Sequence, residues 1–134
     1  MNVTEPDLDV ILVDDEPRVA SALAFATEGT EIRLRAVNDA EHMWQEVAVG
    51  VPTLILLDLQ LKDRSGLDLV VELRARPETA TLPILALSGF TDPKVKDTAF
   101  LAGFDDYIVK PFSPEELLVR VRAHARRAGR SEQP

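Results

Sequence analysis

The sequence predicts an α/β fold, in which one doubly wound, five-stranded parallel sheet is covered by five helices. The 134 residues have the length of one domain, and 46% of them are hydrophobic, which is enough for a single core. Short apolar runs alternate five times with segments of helical periodicity. Strict alternation of this kind is typical of right-handed crossovers that place helices on both faces of a parallel sheet.

The N-terminal elements are bounded by clear signals. A short apolar run predicts the first strand at 9–13. A helix follows, because Pro17 suits a first helical position and Gly29 a position just past a helix end. Residues 31–37 alternate apolar side chains with two arginines, which is the pattern of a strand with one wet face, so we predict an edge strand there.

The middle of the chain contains two apolar runs without charge, 53–57 and 82–87, as expected of strands covered on both faces. Helices are predicted before and between them, at 41–49, which Gly50 closes, and at 67–76.

The last three elements are a helix, a short strand and a longer helix. The helix at 93–102 ends at Gly103, the strand is predicted at 106–109, and the final helix at 114–127 has its apolar residues on one side.

Composition excludes several classes of protein. The chain has no cysteine, so it forms no disulfide framework, zinc ribbon, iron–sulfur cluster or thiol nucleophile. His42 and His124 are too far apart in sequence for a local metal pair, and we predict that both face solvent. A net charge of −8 argues against direct nucleic-acid binding. No apolar stretch is long enough to span a membrane and no signal sequence is evident, so we expect a cytoplasmic protein.

Reactive side chains stand where four predicted strands end, which is where parallel sheets bind ligands. Asp14 and Asp15 follow the first strand, Asp58 the third, Ser88 the fourth and Lys110 the fifth. If the first and third strands are neighbours, the three carboxylates converge, and two such charges about 4 Å apart repel by roughly 4 kcal/mol at an effective dielectric constant of 20. Mg²⁺ suits such a site. With an ammonium and a hydroxyl, the cluster is typical of phosphoryl transfer, in which a carboxylate can be the nucleophile.

Each residue also has a plainer interpretation. Asp14 and Asp15 could cap the helix that begins at Pro17, Lys110 could be a solvated charge on an edge strand, and Ser88 could belong to an ordinary turn. Only their joint occurrence favours the functional interpretation.

Four motifs in order make the chain resemble the receiver domain of bacterial two-component response regulators over residues 9–128. The motifs are VILVDDE at 10–16, LILLDLQL at 54–61 with Gly66 after it, LALSG at 85–89 and GFDDYIVKPF at 103–112. The resemblance implies a flavodoxin-like fold with strand order 2-1-3-4-5. A disordered arm at 1–8 and a tail at 129–134 would flank the domain.

The matching positions imply roles for the acidic residues and the lysine. Asp58 would be the phosphoacceptor, and Lys110 would pair with the phosphoryl oxygens. Asp15, Asp58 and the backbone carbonyl of Gln60 would bind Mg²⁺, with Asp14 acting through a water molecule.

The same resemblance implies a conformational switch. Ser88 would hydrogen-bond to the phosphoryl group, and the Tyr107 ring would turn into the space that Ser88 vacates. The Lys110–Pro111 peptide would be cis. One departure is Lys62, which stands where the family usually has proline.

The C-terminal part resembles the OmpR/PhoB-type subfamily, in which two receivers pair across the fourth helix, the fifth strand and the fifth helix. The charged residues that carry this resemblance are Lys96, Asp106, Glu116, Arg120 and Arg122. They predict a homodimer.

We therefore interpret the chain as a phosphorylation-dependent signalling switch with limited self-catalysis, rather than an enzyme. Its phosphodonor would be a sensor histidine kinase or a histidine phosphotransfer protein. The alternatives are a phosphorylation-independent pseudo-receiver and an aspartyl-phosphate phosphohydrolase, whose cap and added length are missing here. The kinase, the output and the presence of an effector domain stay open.

Overall fold

The computed structural model describes residues 8–131. It confirms five strands and five helices in alternation. Their bounds are β1 Leu8–Val13, α1 Pro17–Thr27, β2 Ile32–Val37, α2 Ala40–Val49, β3 Leu54–Asp58, α3 Gly66–Ala75, β4 Ile84–Ser88, α4 Pro93–Ala102, β5 Asp106–Val109 and α5 Pro114–Ser131. Most of the predicted N-terminal arm, 1–7, and the last three tail residues lie outside the described part of the chain.

The strands form one parallel sheet in the order β2-β1-β3-β4-β5, as the resemblance implies. Every residue of β3 and β4 is buried, so the charge-free runs are central strands covered on both faces. β2 and β5 are the edges. The first, third, fourth and fifth strands are consecutive neighbours, and their carboxyl ends therefore meet along one side of the sheet.

Helices cover the two faces through separate apolar clusters. On one face, Leu23 of α1 and Val121 of α5 pack with Leu12 of β1. On the other, Met43 of α2 packs with Ile11 of β1, and α3 and α4 contribute to the same cluster. Adjacent β1 residues serve opposite faces because side chains alternate along a strand. Each fully buried aliphatic side chain contributes roughly 1.5–3 kcal/mol.

The prediction that both arginines of β2 face solvent is only partly correct. Arg33 is exposed, but the Arg35 side chain is only 9% exposed. Arg35 pairs with Asp9 at 2.9 Å and donates hydrogen bonds to the carbonyls of Glu46 and Gly50. A guanidinium can lie on a strand face without solvent when acceptors from a neighbouring helix surround it.

The last helix is longer than predicted. α5 continues to Ser131 instead of ending at 127, so the residues predicted to begin the tail are helical. Gly129 lowers helix stability by about 1 kcal/mol relative to alanine but does not end a helix by itself. Its φ is not positive, unlike that of Gly103, which does end α4.

One arginine connects the segments that precede the N-terminal ends of β4 and β5. Arg74 of α3 donates to the carbonyls of Ala80 and Leu82, just before β4. It also donates twice to the Gly103 carbonyl and once to the Asp105 carboxylate, just before β5. All five guanidinium N–H groups are thereby used. These five hydrogen bonds, which we call the Arg74 fork, join α3 to the segments that lead into both strands.

Candidate functional site

The fold brings together most of the reactive residues that end the strands. Asp58 is the last residue of β3, Ser88 is the last of β4, and Asp14 directly follows β1. All three side chains are buried. Lys110 follows β5 and reaches across the ends of the strands to both carboxylates. The predicted convergence at the carboxyl ends of the strands is therefore confirmed for Asp14, Asp58 and Lys110, but not for Asp15.

Lys110 is the centre of the charge cluster. Its Nζ lies 2.8 Å from Asp14 Oδ2, 3.3 Å from Asp58 Oδ2 and 2.9 Å from Glu16 Oε1. The side chains of Asp14 and Asp58 are 0% and 4% exposed, whereas that of Glu16 is 57% exposed. Glu16, the last residue of the motif at 10–16, has no role in the sequence-based prediction.

The electrostatics of this cluster shift two pKa values. Burial raises the pKa of the Asp14 carboxyl above its usual value, although the Lys110 ammonium and the Glu16 amide work in the opposite direction. Burial alone would lower the pKa of Lys110, but the adjacent carboxylates of Asp14 and Glu16 outweigh it and raise that pKa. Lys110 therefore stays an ammonium at any physiological pH.

The carboxylates fit a small hard cation. Oxygens of Asp14, Glu16 and Asp58 lie within 4.8 Å of one another. Asp14 Oδ2 is buried and, within the described chain, accepts no hydrogen bond of good geometry; the Lys110 ammonium beside it is an ion-pair partner. An oxygen with this free acceptor capacity suits a divalent ion with oxygen ligands.

Asp15 points to a different neighbour. Its Oδ2 accepts a hydrogen bond from the backbone amide of Lys62 at 2.9 Å, and it is not one of the three carboxylates grouped around Lys110. A proline at position 62 would have no amide hydrogen to donate. The lysine in place of the usual proline therefore supplies a bond that fixes Asp15 to the loop after β3. Its role as a metal ligand stays a prediction.

The backbone holds the Asp58 carboxylate on the side away from Lys110. The amide of Gln60 donates to Asp58 Oδ1 at 2.9 Å, so one oxygen faces an amide and the other faces Lys110. Gly66 begins α3 so close to this turn that a Cβ there would lie 2.4 Å from the backbone oxygen of Asp58. Gly66 thus lets α3 pack directly against the end of β3. The role of the Gln60 carbonyl as a ligand stays a prediction.

Ser88 and Tyr107 are joined through the loop after β4. Ser88 Oγ accepts a hydrogen bond from the Phe90 amide at 3.0 Å, and the Tyr107 hydroxyl donates to the Phe90 carbonyl at 2.7 Å. Tyr107 is only 4% exposed, so its ring is already turned inward. Phe90 is 42% exposed. The predicted movement of Ser88 and Tyr107 is not tested by this one conformation.

An open cleft of about 490 Å³ leads from solvent to Asp58. Asp58, Gln60 and Lys110 line its polar end, and Val19 and Phe112 belong to its apolar wall. The Lys110–Pro111 peptide beside it is cis, as the resemblance implies. A buried carboxylate, an ammonium and an accessible cleft can together accept an anionic group.

Comparison with known proteins decides the family. The profile of the response regulator receiver domain matches residues 10–122. The chain belongs to the response regulator receiver family. The transcriptional regulatory protein KdpE of Mycobacterium tuberculosis strain H37Rv is 36% identical over 128 residues, which cover 93% of this chain and 55% of KdpE. The phosphate regulon regulatory protein PhoB of Rhizobium meliloti is 36% identical over 122 residues, covering 89% and 52%.

A solved structure agrees with this result. A protein described as a response regulator from Chloroflexus aurantiacus J-10-fl superposes with a TM-score of 0.83 at 33% identity, covering 90% of this chain and 98% of that one. The matches to KdpE and PhoB confirm the resemblance to the OmpR/PhoB type. The receiver spans about half the length of these two regulators.

Four of the five charged residues predicted to pair two receivers lie close together, and their role in a dimer stays a prediction. Lys96, Asp106, Glu116 and Arg120 line one groove along the edge strand β5. Arg122 does not lie in this groove, contrary to the prediction. Its side chain forms a bidentate ion pair with Glu31, the residue before β2. A helix turns by about 100° per residue, so Arg120 and Arg122 lie on different sides of α5.

The two histidines differ in their exposure to solvent. His42 is 59% exposed, as predicted. His124 is not solvent-facing, since its side chain is only 15% exposed and its Nε2 lies 3.0 Å from Asp106 Oδ2. The same carboxylate accepts from Arg120 at 3.3 Å. Sequence alone did not reveal this contact because it joins residues on two elements.

None of the described helices is long and apolar enough to cross a membrane.

Proposed function

We propose that this receiver domain is a phosphorylation-dependent signalling switch and that Asp58 accepts the phosphoryl group. The observation that supports it best is the position of Asp58. Its carboxylate is buried at the end of a central strand, lies 3.3 Å from the Lys110 ammonium and faces an open cleft. A carboxylate held in this way is a suitable nucleophile for phosphorus.

The transfer would exchange one bond for another. An oxygen of Asp58 forms a P–O bond while the P–N bond of a phosphohistidine donor breaks, and the departing imidazole keeps the electron pair and takes up a proton from solvent. The Gln60 amide orients the second carboxylate oxygen. Lys110 pairs with the charge that spreads over the phosphoryl oxygens. The donor would be a sensor histidine kinase or a histidine phosphotransfer protein.

Mg²⁺ is the proposed cofactor. Asp15, Asp58 and the Gln60 carbonyl would hold it directly and Asp14 through a water molecule, and the free acceptor capacity of Asp14 Oδ2 supports this assignment. When bound, the ion would neutralise negative charge on the phosphoryl oxygens.

Because Mg²⁺ would bind only the folded protein, it should raise the melting temperature by mass action, and Asp15→Ala should reduce that rise. Equal stabilisation of both proteins would place the ion elsewhere.

Phosphorylation would be read out through the loop after β4. Ser88 would turn its hydroxyl to a phosphoryl oxygen and release the Phe90 amide that it now accepts from. Tyr107 is held to the same loop through the Phe90 carbonyl, so movement of the loop would reach β5 and α4. The change would be a shift between two conformations already accessible to the protein.

The acceptor assignment is tested by labelling with acetyl phosphate in the presence of Mg²⁺. We expect one base-labile phosphoryl group per chain in the wild type and none in Asp58→Asn. Asp97→Asn is a matched control, because Asp97 is exposed on α4 and its replacement removes the same charge. Labelling of Asp58→Asn at the wild-type rate would remove Asp58 from this role. A folded wild type that takes up no label would favour the pseudo-receiver.

Phosphorylation is also proposed to promote a two-fold dimer through the groove along β5. Lys96, Asp106, Glu116 and Arg120 carry charges of both signs that a symmetric copy would complement. Asp106 and Arg120 already pair within the chain at 3.3 Å, so the dimer must exchange these contacts. Because exposed pairs are each worth about 0–1 kcal/mol, the dimer should be weak and sensitive to salt.

Sedimentation with and without beryllofluoride tests the dimer. Arg120→Ala should weaken association, whereas Arg122→Ala should leave it unchanged because Arg122 lies outside the groove. A monomer under all conditions at micromolar concentration and low salt would refute this proposal.

A further inference from the structure

The ammonium of Lys110 has a third carboxylate partner that the proposed transfer does not use. Glu16 Oε1 lies 2.9 Å from Lys110 Nζ and accepts a hydrogen bond from it. The pair joins the start of α1 to the end of β5, across the mouth of the cleft that leads to Asp58. Glu16 therefore occupies the solvent side of Lys110.

The three partners of Lys110 differ in how easily they can leave it. An ammonium has three N–H donors, and three carboxylates lie within 3.3 Å of this one. A phosphoryl group on Asp58 would add oxygens that compete for the same donors. Moving Asp14 away would leave a buried charge without compensation.

Glu16 is the partner that can be exchanged. Its side chain is 57% exposed, so water can solvate the carboxylate once it leaves the ammonium. A pair of this kind is worth little in free energy. Separating Glu16 from Lys110 therefore costs much less than separating Asp14 from it.

We propose that Glu16 is a positioning residue that holds Lys110 in the unphosphorylated protein and is displaced when a phosphoryl oxygen takes its place on the ammonium. The inference rests on the proposed function, since it assumes that Asp58 is phosphorylated. Glu16 acts through Lys110 and does not touch the phosphoryl group. Its carboxylate occupies the position on Lys110 that the phosphoryl group later needs.

The proposal gives a direction for the effect of removing Glu16. Without the carboxylate, Lys110 is free to bind the incoming phosphoryl oxygens, and one negative charge that repels an anionic donor is lost. We expect Glu16→Gln to raise the second-order rate constant of labelling by acetyl phosphate about two- to fivefold, the range that exposed ion pairs allow. The Mg²⁺ concentration for half-maximal labelling should stay the same, because in this proposal Glu16 pairs with Lys110 and not with the ion, although one of its oxygens lies within 4.8 Å of those of Asp14 and Asp58.

The matched control is Glu28→Gln, which removes the same charge from the exposed end of α1. It should label at the wild-type rate. Thermal denaturation of both variants is the check that they are folded. General damage to the fold would slow labelling, so it cannot imitate the expected increase.

Each result has a distinct meaning. Faster labelling of Glu16→Gln alone supports the proposal. An unchanged rate, or an equal increase in Glu28→Gln, overturns it. Slower labelling with a higher Mg²⁺ requirement also overturns it and makes Glu16 a metal ligand. If the wild type takes up no label at all, the proposed function itself fails and this inference fails with it.

Discussion

Replacing Gly66 with alanine tests the close approach of α3 to β3. An added Cβ would lie 2.4 Å from the backbone oxygen of Asp58 and 2.8 Å from Cα of Leu59. Even a tight contact of 3.0 Å requires the two backbones to separate by about 0.6 Å. β3 is fully buried, so α3 must move away from it.

The size of the effect follows from this geometry. Over-packing of a buried contact costs about 1–3 kcal/mol, and the better helix propensity of alanine returns at most about 1 kcal/mol. We expect Gly66→Ala to lower the free energy of unfolding by about 1–2 kcal/mol and the melting temperature by about 4–8 °C. Labelling of Asp58 should also slow, because the same backbone positions its carboxylate.

Urea and thermal denaturation measure this effect, with Gly50→Ala as the control. Gly50 has an ordinary extended φ of −171°, and a Cβ there meets no atom within 4 Å. Its replacement should stay within about 0.5 kcal/mol of the wild type. If Gly66→Ala were as stable as Gly50→Ala, the close packing of α3 on β3 would be refuted.

Three further predictions concern the lifetime of the signal, the pH dependence of stability and the Arg74 fork. Phe90→Ala should shorten the lifetime of the phosphoryl group on Asp58, measured after removal of the donor, because the Phe90 ring is expected to obstruct the water that must approach in line. Arg122 lowers the pKa of the Glu31 carboxyl below its ordinary value of 4.5 through their hydrogen bonds. The pair therefore stabilises the fold at pH values above 4.5, and this contribution is lost as the pH falls through the lowered pKa. In urea titrations Glu31→Gln should cost less than about 1 kcal/mol at pH 7, since the pair is partly exposed, and the difference should shrink in acid. Arg74→Lys should lower the free energy of unfolding by about 2–3 kcal/mol, at about 1 kcal/mol for each carbonyl left without its donor.

Each of these predictions has an outcome that would contradict it. An unchanged or longer phosphoryl lifetime in Phe90→Ala would show that the ring packs away from the site. A Glu31→Gln difference that grows in acid would have the wrong sign for a lowered pKa. Wild-type stability of Arg74→Lys would mean that the five hydrogen bonds of the fork contribute nothing net.

The fold was predictable because the pattern that forms each element is local. The charge-free runs that became β3 and β4 can be read directly from the sequence, as can Pro17 at the start of α1 and Gly103 at the end of α4. The end of α5 was missed because Gly129 is a weak signal that a helix can overrule. The strand order was implied by the resemblance and not by any local pattern.

The site was predictable at residues whose position on the chain fixes their place in the sheet. Asp14, Asp58 and Lys110 lie at or just after the ends of neighbouring strands, so their meeting follows from the topology. The partners of Glu16, which precedes α1, and of His124 on α5 depend on the direction in which each side chain turns. No pattern in the sequence sets that direction.

The measurement that tests the central claim most directly is the location of the phosphoryl group on the wild-type protein. After labelling with acetyl phosphate and Mg²⁺, borohydride reduces an aspartyl phosphate to homoserine, which peptide mass mapping then places on the chain. We predict homoserine at position 58 and at no other aspartate. Homoserine at another aspartate, or phosphate on a histidine with position 58 unmodified, would contradict the assignment of Asp58 as the acceptor.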